Sequence, residues 1–213
     1  MKPTERFRTR VENYVKYRPQ YPPDIVVLLE NECGLTRGSV IADIGSGTGI
    51  SSELFLKHGC SVIGIEPNRE IREAGEKLLH NYPNFRSLEG TAESTGLEPR
   101  SVDFVTAGQA FHWFDRDKAR DEFRQILKAN GWVILIWNER QIDSTPFLIS
   151  FEELLLDYGT DYTQVNHKHI NENVITSFFA PNQFRKVTFE NEQRLDFDGL
   201  NGRLLSSSYT PES

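Results

Sequence analysis

Residues 40–49 read VIADIGSGTG, placing a carboxylate, Asp43, ahead of glycines at 45, 47 and 49, with the hydroxyls of Ser46 and Thr48 between them. Glycine tolerates positive φ in a tight turn and has no Cβ to hold a ligand off the backbone. The apolar run Val40–Ile44 predicts a buried strand, and a helical pattern opens at Ile50. A helix start aims unpaired N–H groups into the space over such a turn. Strand, bare turn and helix start together predict a cradle of nucleotide size. Ser46 and Thr48 either line it or only hydrogen-bond the local backbone.

The spacing bears on which nucleotide. A G-x-G-x-x-G dinucleotide fingerprint needs its third glycine at position 50, which is Ile50 here. The chain offers G-x-G-x-G, with Asp43 two residues before the first glycine. A carboxylate there faces the pyrophosphate of NAD unfavourably and attracts a cationic ligand at close range. S-adenosylmethionine carries a sulfonium and an ammonium on one nucleoside, so the charge logic favours it over NAD. Asp43 is expected to meet the ammonium, directly or through water; the plainer reading makes it a turn-former.

Further chemistry follows along the chain. A second apolar run, Ser61–Ile65, ends at Glu66-Pro67. A carboxylate at that strand tip can accept both ribose hydroxyls, which alone fits either cofactor class. A short strand around Phe85–Leu88 leads to Gly90-Thr91-Ala92-Glu93, where Thr91 and Ala92 could read an adenine edge and Glu93 could equally cap the next turn. The run Val102–Ala107 enters Gly108-Gln109-Ala110-Phe111-His112-Trp113-Phe114-Asp115. Gln109 falls where ligands gather outside the carboxyl ends of a parallel sheet. His112 is the side chain best poised for proton transfer near neutral pH, and Trp113 could wall an acceptor pocket. The alternative is packing, with Phe111, Trp113 and Phe114 plugging the underside of the next helix. Trp137, Asn138 and Arg140 end a fifth strand and could line the same pocket. His167 and His169 form an H-x-H pair without a Cys or acidic constellation, so no metal site is expected.

In this order, DIGSGTG, VIGIEPN, GTAES, SVDFVTAGQAFHWFD and FRQILKANGWVILIWNE resemble the motifs of the class I S-adenosylmethionine-dependent methyltransferases. The opening VENYVKYRPQYP resembles a lid segment of their small-molecule branch, which includes ubiquinone/menaquinone-biosynthesis-type and trans-aconitate-type enzymes. The likeness covers residues 11 to about 140. It implies S-adenosyl-L-methionine as cofactor and a small-molecule acceptor. It adds Tyr14 and Arg18 to the cofactor-binding set of Asp43, Gly45, Ser46, Gly47, Thr48, Gly49, Glu66, Pro67, Thr91, Ala92, Glu93 and Gln109. Arg18 either pairs with the cofactor carboxylate or sits on the surface. Tyr14, Tyr17 and Tyr21 either close the lid or pack beside the prolines. His112, Trp113 and Trp137 would face the acceptor, and His112 would be the catalytic base if the acceptor must lose a proton. Two rival readings remain: a cofactor-binding protein without catalysis, and an NAD-dependent oxidoreductase.

The elements that must position these residues alternate strand and helix, which predicts an α/β, Rossmann-like, doubly wound and mostly parallel sheet with helices on both faces. Helices are expected over Asp24–Cys33, Ser51–His58 and Asn68–His80. Another runs from an Asp115 cap to Ala129, closed by Asn130-Gly131, before a strand over Trp132–Trp137. Pro146–Tyr158 and Asn171–Phe179 read as helices, Phe184–Leu195 as a half-exposed strand, and Asp198–Ser206 as a helical turn or two. One domain is expected over 1–213: an N-terminal lid and helix at 1–35, a cofactor-binding core at 38–140, and an acceptor-side cap with the final strand at 141–213. The resembled family ends with an antiparallel seventh strand inserted between the fifth and sixth, and no candidate follows Leu195. Six strands, a displaced sixth, or a shortened form are the options. An uncovered edge would favour a homo-oligomer.

Composition bounds the rest. The 213 residues, 38% hydrophobic and 26% charged, suit an ordinary globular domain. A net charge of −7 supplies no basic footprint for nucleic acid. Two cysteines, Cys33 and Cys60, fit a reducing compartment rather than a disulfide scaffold. The start, MKPTERFRTR, has no apolar secretory core, and no run approaches membrane-spanning length. A cytoplasmic location is expected.

Overall fold

A computed structural model of the chain describes residues 11–165, 170–207 and 209–210. Five strands form its sheet: β1 (Val40–Ile44), β2 (Ser61–Ile65), β3 (Phe85–Leu88), β4 (Val102–Gly108) and β5 (Leu127–Ile136). Their order is β3-β2-β1-β4-β5, with every neighbouring pair parallel. The chain thus winds outward from β1 in one direction, then returns across it to β4. This reversal leaves a crevice between the carboxyl ends of β1 and β4, where open α/β sheets bind ligands.

Helices α1 (Val11–Tyr17), α2 (Asp24–Cys33), α3 (Ile50–His58), α4 (Arg69–Leu78) and α5 (Arg116–Ile126) accompany the strands. The tail adds α6 (Pro146–Tyr158), α7 (Tyr162–Val165), α8 (Glu172–Phe179) and α9 (Phe197–Leu205). Two apolar layers result from the alternation of side chains along central strands. Ile41, Val62 and Phe104 pack with Ile25, Leu29 and Phe55 from α2 and α3. Ala42, Ile65 and Val105 face the other way, onto Phe123 and Ile126 of α5 and Phe178 of α8. Phe55 and Phe111 are wholly buried, each burial contributing about 1.5–3 kcal/mol.

The helix starts follow local capping chemistry. Asn68 accepts from Ile71 N–H at the head of α4, and Thr145 accepts from Leu148 N–H at α6, where Pro146 follows. Gly34, in the left-handed region at φ 72°, closes α2.

Three expectations are corrected. The helix from Asp115 stops at Ile126 rather than Ala129, because Leu127 already pairs with Val102 of β4. The next ladder pair is Phe104 with Trp132, so Lys128–Gly131 bulges out, with Asn130 at φ 66°. Residues 184–195 form no ladder despite their alternation. Side-chain amides hold them instead: Asn191 Nδ2 donates to Gln20 O at 2.8 Å, and Gln193 Nε2 to Tyr17 O at 2.9 Å. Val187 and Leu195 stay exposed, so no second face rewards strand formation there. Among the described residues the sheet therefore has five strands rather than six or seven, and β5 is bonded on one side only.

Candidate functional site

The site begins with the turn after β1. Gly45, Gly47 and Gly49 have φ of 67°, 58° and 91°, the region that disfavours side chains. A Cβ on Gly45 would lie 2.7 Å from that of Ala110, so the turn is pressed against the loop after β4. Gly45 N–H and Ser46 N–H both donate to Ile65 O, at 2.9 and 3.1 Å, tying it to the end of β2.

Glu66 continues that tie. Its Oε2 accepts from Gly47 N–H at 3.0 Å and its Oε1 from Asn68 N–H at 2.9 Å. Burial pushes the carboxyl above its ordinary range, and the two main-chain donors pull it back. Each oxygen keeps accepting capacity beyond these bonds.

Asp43 lies deeper and is fully buried. Ser51 Oγ and Ser52 Oγ donate to its Oδ2, each at 2.6 Å, and Thr106 Oγ1 donates to Oδ1 at 3.1 Å. Burial raises its pKa, while these hydroxyls favour the charged form. Ser51 lines the cleft above and Asp43 does not. The carboxyl group therefore sits one hydrogen bond beneath the surface that a ligand would touch.

Above the turn is a cleft, open to solvent, lined by Tyr14, Arg18, Tyr21, Gly45, Ser46, Thr48, Ile50, Ser51, Gly108, Gln109, Asn138 and Arg203 among others. Thr48 Oγ1 and Arg18 Nε are buried here and have no hydrogen-bond partner among the described residues. Buried polar atoms are normally paired, so these two have bonding capacity left for a ligand group. Burial pushes the Tyr21 phenol well above its usual range, leaving it a neutral hydroxyl. Gln109 holds φ 56°, uncommon for a side-chain-bearing residue. Two bonds hold it there: its N–H donates to Ile136 O and its Nε2 to Asn138 O, both at 2.9 Å. Strained backbone of this kind clusters at functional sites.

The other candidates are placed less centrally. Pro67 is exposed after Glu66. Thr91 bridges Ser94, Ala92 is buried, and Glu93 Oε1 accepts from Asp115 N–H at 2.8 Å. These lie past the tips of β2 and β3, outside the cleft lining. His112 and Trp113 occupy a single helical turn, Phe111–Trp113, with their rings 4.6 Å apart, and neither lines the cleft. Trp137 packs edge-on against Phe111 at 6.1 Å. Arg140 is engaged by Glu152 and by Tyr162 Oη. His167 and His169 lie outside the described residues, among which no cluster of three metal-ligating side chains occurs.

Ile50, Ser51 and Arg203 line the cleft without having been singled out from sequence. Ser51-Ser52 carried a readable signal, two hydroxyls in the first helical turn after an acid-bearing strand. Arg203 carried none, because α9 reaches the cleft only by tertiary packing.

A family described as a methyltransferase domain matches residues 42–135. An uncharacterised methyltransferase of Schizosaccharomyces pombe is 33% identical over 150 residues, covering 70% of this chain and 58% of that protein. One from Mycobacterium tuberculosis (strain H37Rv) is 33% identical over 134 residues, covering 63% of this chain and 52% of its own length. The chain thus spans between half and three-fifths of these curated relatives. A solved structure of a candidate type II methyltransferase from Anaeromyxobacter dehalogenans aligns with a TM-score of 0.65 at 23% identity, over 91% of this chain and 80% of that one. That likeness is one of fold.

Proposed function

We propose that the chain is a class I S-adenosylmethionine-dependent methyltransferase, as its match to a methyltransferase-domain family and to methyltransferase relatives supports, and that it transfers a methyl group to a small-molecule acceptor by in-line displacement. One observation carries the reading: the crevice between β1 and β4 presents two buried, unpartnered polar atoms, Thr48 Oγ1 and Arg18 Nε, over a bare glycine turn. This donor set fits S-adenosyl-L-methionine, which when bound supplies a methyl already activated by its sulfonium.

The chain's own residues then have distinct tasks. Arg18 pairs with the cofactor carboxylate, and Ser51, backed by the buried Asp43 charge, favours its ammonium. Glu66 accepts the ribose hydroxyls on capacity left by Gly47 and Asn68. Thr91 and Ala92 border the adenine. Gln109, fixed by Asn138, and the neutral Tyr21 hydroxyl hold the acceptor in line and exclude water. His112 takes a proton where the acceptor must lose one, and Trp113 and Trp137 shape that side. The acidic balance of −7 argues for a small acceptor rather than nucleic acid. No helix among the described residues is long and apolar enough to cross a membrane, and a cytoplasmic setting agrees with the two unpaired cysteines.

The test has two parts. Calorimetry with S-adenosylhomocysteine should give saturable one-site binding. Mass spectrometry of a metabolite extract incubated with protein and S-adenosylmethionine should then reveal a product heavier by one methylene. No binding of the nucleoside, or binding of NADH in its place, refutes the proposal.

A further inference from the structure

Two guanidinium groups, those of Arg18 and Arg203, line the cleft, and one cofactor carboxylate pairs with only one of them. Helix α9 packs on α1, with Gly202 so close to the Tyr17 ring that a Cβ there would overlap it. This contact carries Arg203 into the cleft wall that also bears Arg18. Arg203 Nη1 donates only to the hydroxyls of Ser206 and Ser207, each at 3.3 Å. Arg18 Nη2 donates to Ser206 O at 2.9 Å, and its guanidinium lies over the Tyr14 ring. Among the described residues, neither guanidinium has a carboxylate within ion-pair distance. Arg140, close enough for its charge to be felt at Arg203, does have one, in Glu152.

Burial, and then the charge of Arg18, lower the pKa of Arg203 to about 10. A half-buried cation kept without a counter-ion is costly unless one arrives with a ligand. The helix C-terminus offers Arg203 some attraction, but that requires no place in the cleft wall. In the methyl-transfer reading, on which this inference rests, the cofactor carboxylate neutralises Arg18. One guanidinium remains.

We infer that the acceptor carries an oxyanion, a carboxylate or phosphate away from its methylated atom, and that Arg203 anchors it. A planar guanidinium suits either group bidentately. Arg203 thereby sets substrate class and leaves cofactor affinity to Arg18 and the glycine turn.

Protein saturated with S-adenosylhomocysteine is titrated calorimetrically with succinate, citrate and glycerol phosphate, with succinamide as the neutral control. The parent should bind at least one oxyanion, more weakly at higher salt, and should not bind succinamide. Arg203→Gln should weaken that binding by about tenfold or more, Arg203→Lys by less, and both should keep S-adenosylhomocysteine affinity within about twofold. Should the Gln variant unfold, the Lys variant and the salt dependence of the parent decide. Loaded parent that binds no oxyanion, or an Arg203→Gln variant that binds it equally, overturns this inference alone. Failure to bind S-adenosylhomocysteine overturns the methyl-transfer reading as well.

Discussion

Removing Asp43 tests the foundation of the cleft. In Asp43→Ala three hydroxyls lose their acceptor. Ser51 lines the cleft and can turn to water, whereas Ser52 and Thr106 are wholly buried and cannot. Each orphaned buried hydroxyl costs about 1–3 kcal/mol, or about 2–6 kcal/mol for the pair. Burial already disfavours the charged carboxylate, so deleting it returns part of that sum. A net loss of about 2–4 kcal/mol is expected from these opposing terms. Asp43→Asn keeps one carbonyl acceptor and should lose about half as much. Urea unfolding followed by circular dichroism measures both variants. An Asp43→Ala protein within about 0.5 kcal/mol of the parent would show that the three bonds contribute nothing, and that the carboxylate does not organise the turn.

Asp43 and Glu66 both hold their protons to higher pH when folded than when unfolded. Their contribution is therefore fully present below the ordinary carboxylate range and is lost as pH rises through the raised values. Urea midpoints across that window should fall less steeply for Asp43→Asn than for the parent, and parallel curves would contradict the assignment. Glu66→Ala should weaken S-adenosylhomocysteine binding by tenfold or more, since each charge-assisted bond is worth about 1.5–3 kcal/mol; unchanged calorimetric affinity would misplace the ribose. Gly49→Ala should cost about 1–2 kcal/mol for its φ of 91°, plus the overlap of its Cβ with Leu79 Cδ1 at 2.5 Å. In melting experiments Gly49→Ala made in a Leu79→Ala background should show only the conformational cost relative to Leu79→Ala alone, and no cost there would deny that part.

Legibility followed how local each cause was. Asp24–Cys33, with Gly34 behind it, and Pro146–Tyr158, behind Thr145, carry their own stop and start chemistry and fold as read. Strands β1 and β2 are apolar runs bounded by turns and were equally plain. The start of β5 was not, because Leu127 joins the sheet through Val102, a partner far away in sequence. Residues 184–195 show the converse, a strand-like pattern without a strand to pair with. Within the cleft, the glycine turn and Gln109 were visible from spacing. Arg203 was not, since it lies in no motif and its neighbour Arg18 comes from the other end of the chain. That Asp43 acts through Ser51 is likewise a matter of depth, which a linear pattern does not encode.

Asn138 joins distant parts of the polypeptide. Its carbonyl receives Gln109, its amide reaches Pro19 O at 3.4 Å, and its side-chain oxygen takes Asn191 Nδ2 at 2.7 Å. Contacts spanning such separations close slowly, after local structure has formed. During synthesis the sheet can assemble early, but the cleft floor and its two sides meet only once residue 191 has left the ribosome. Nascent chains arrested before that point would hold a folded scaffold with an unfinished binding site.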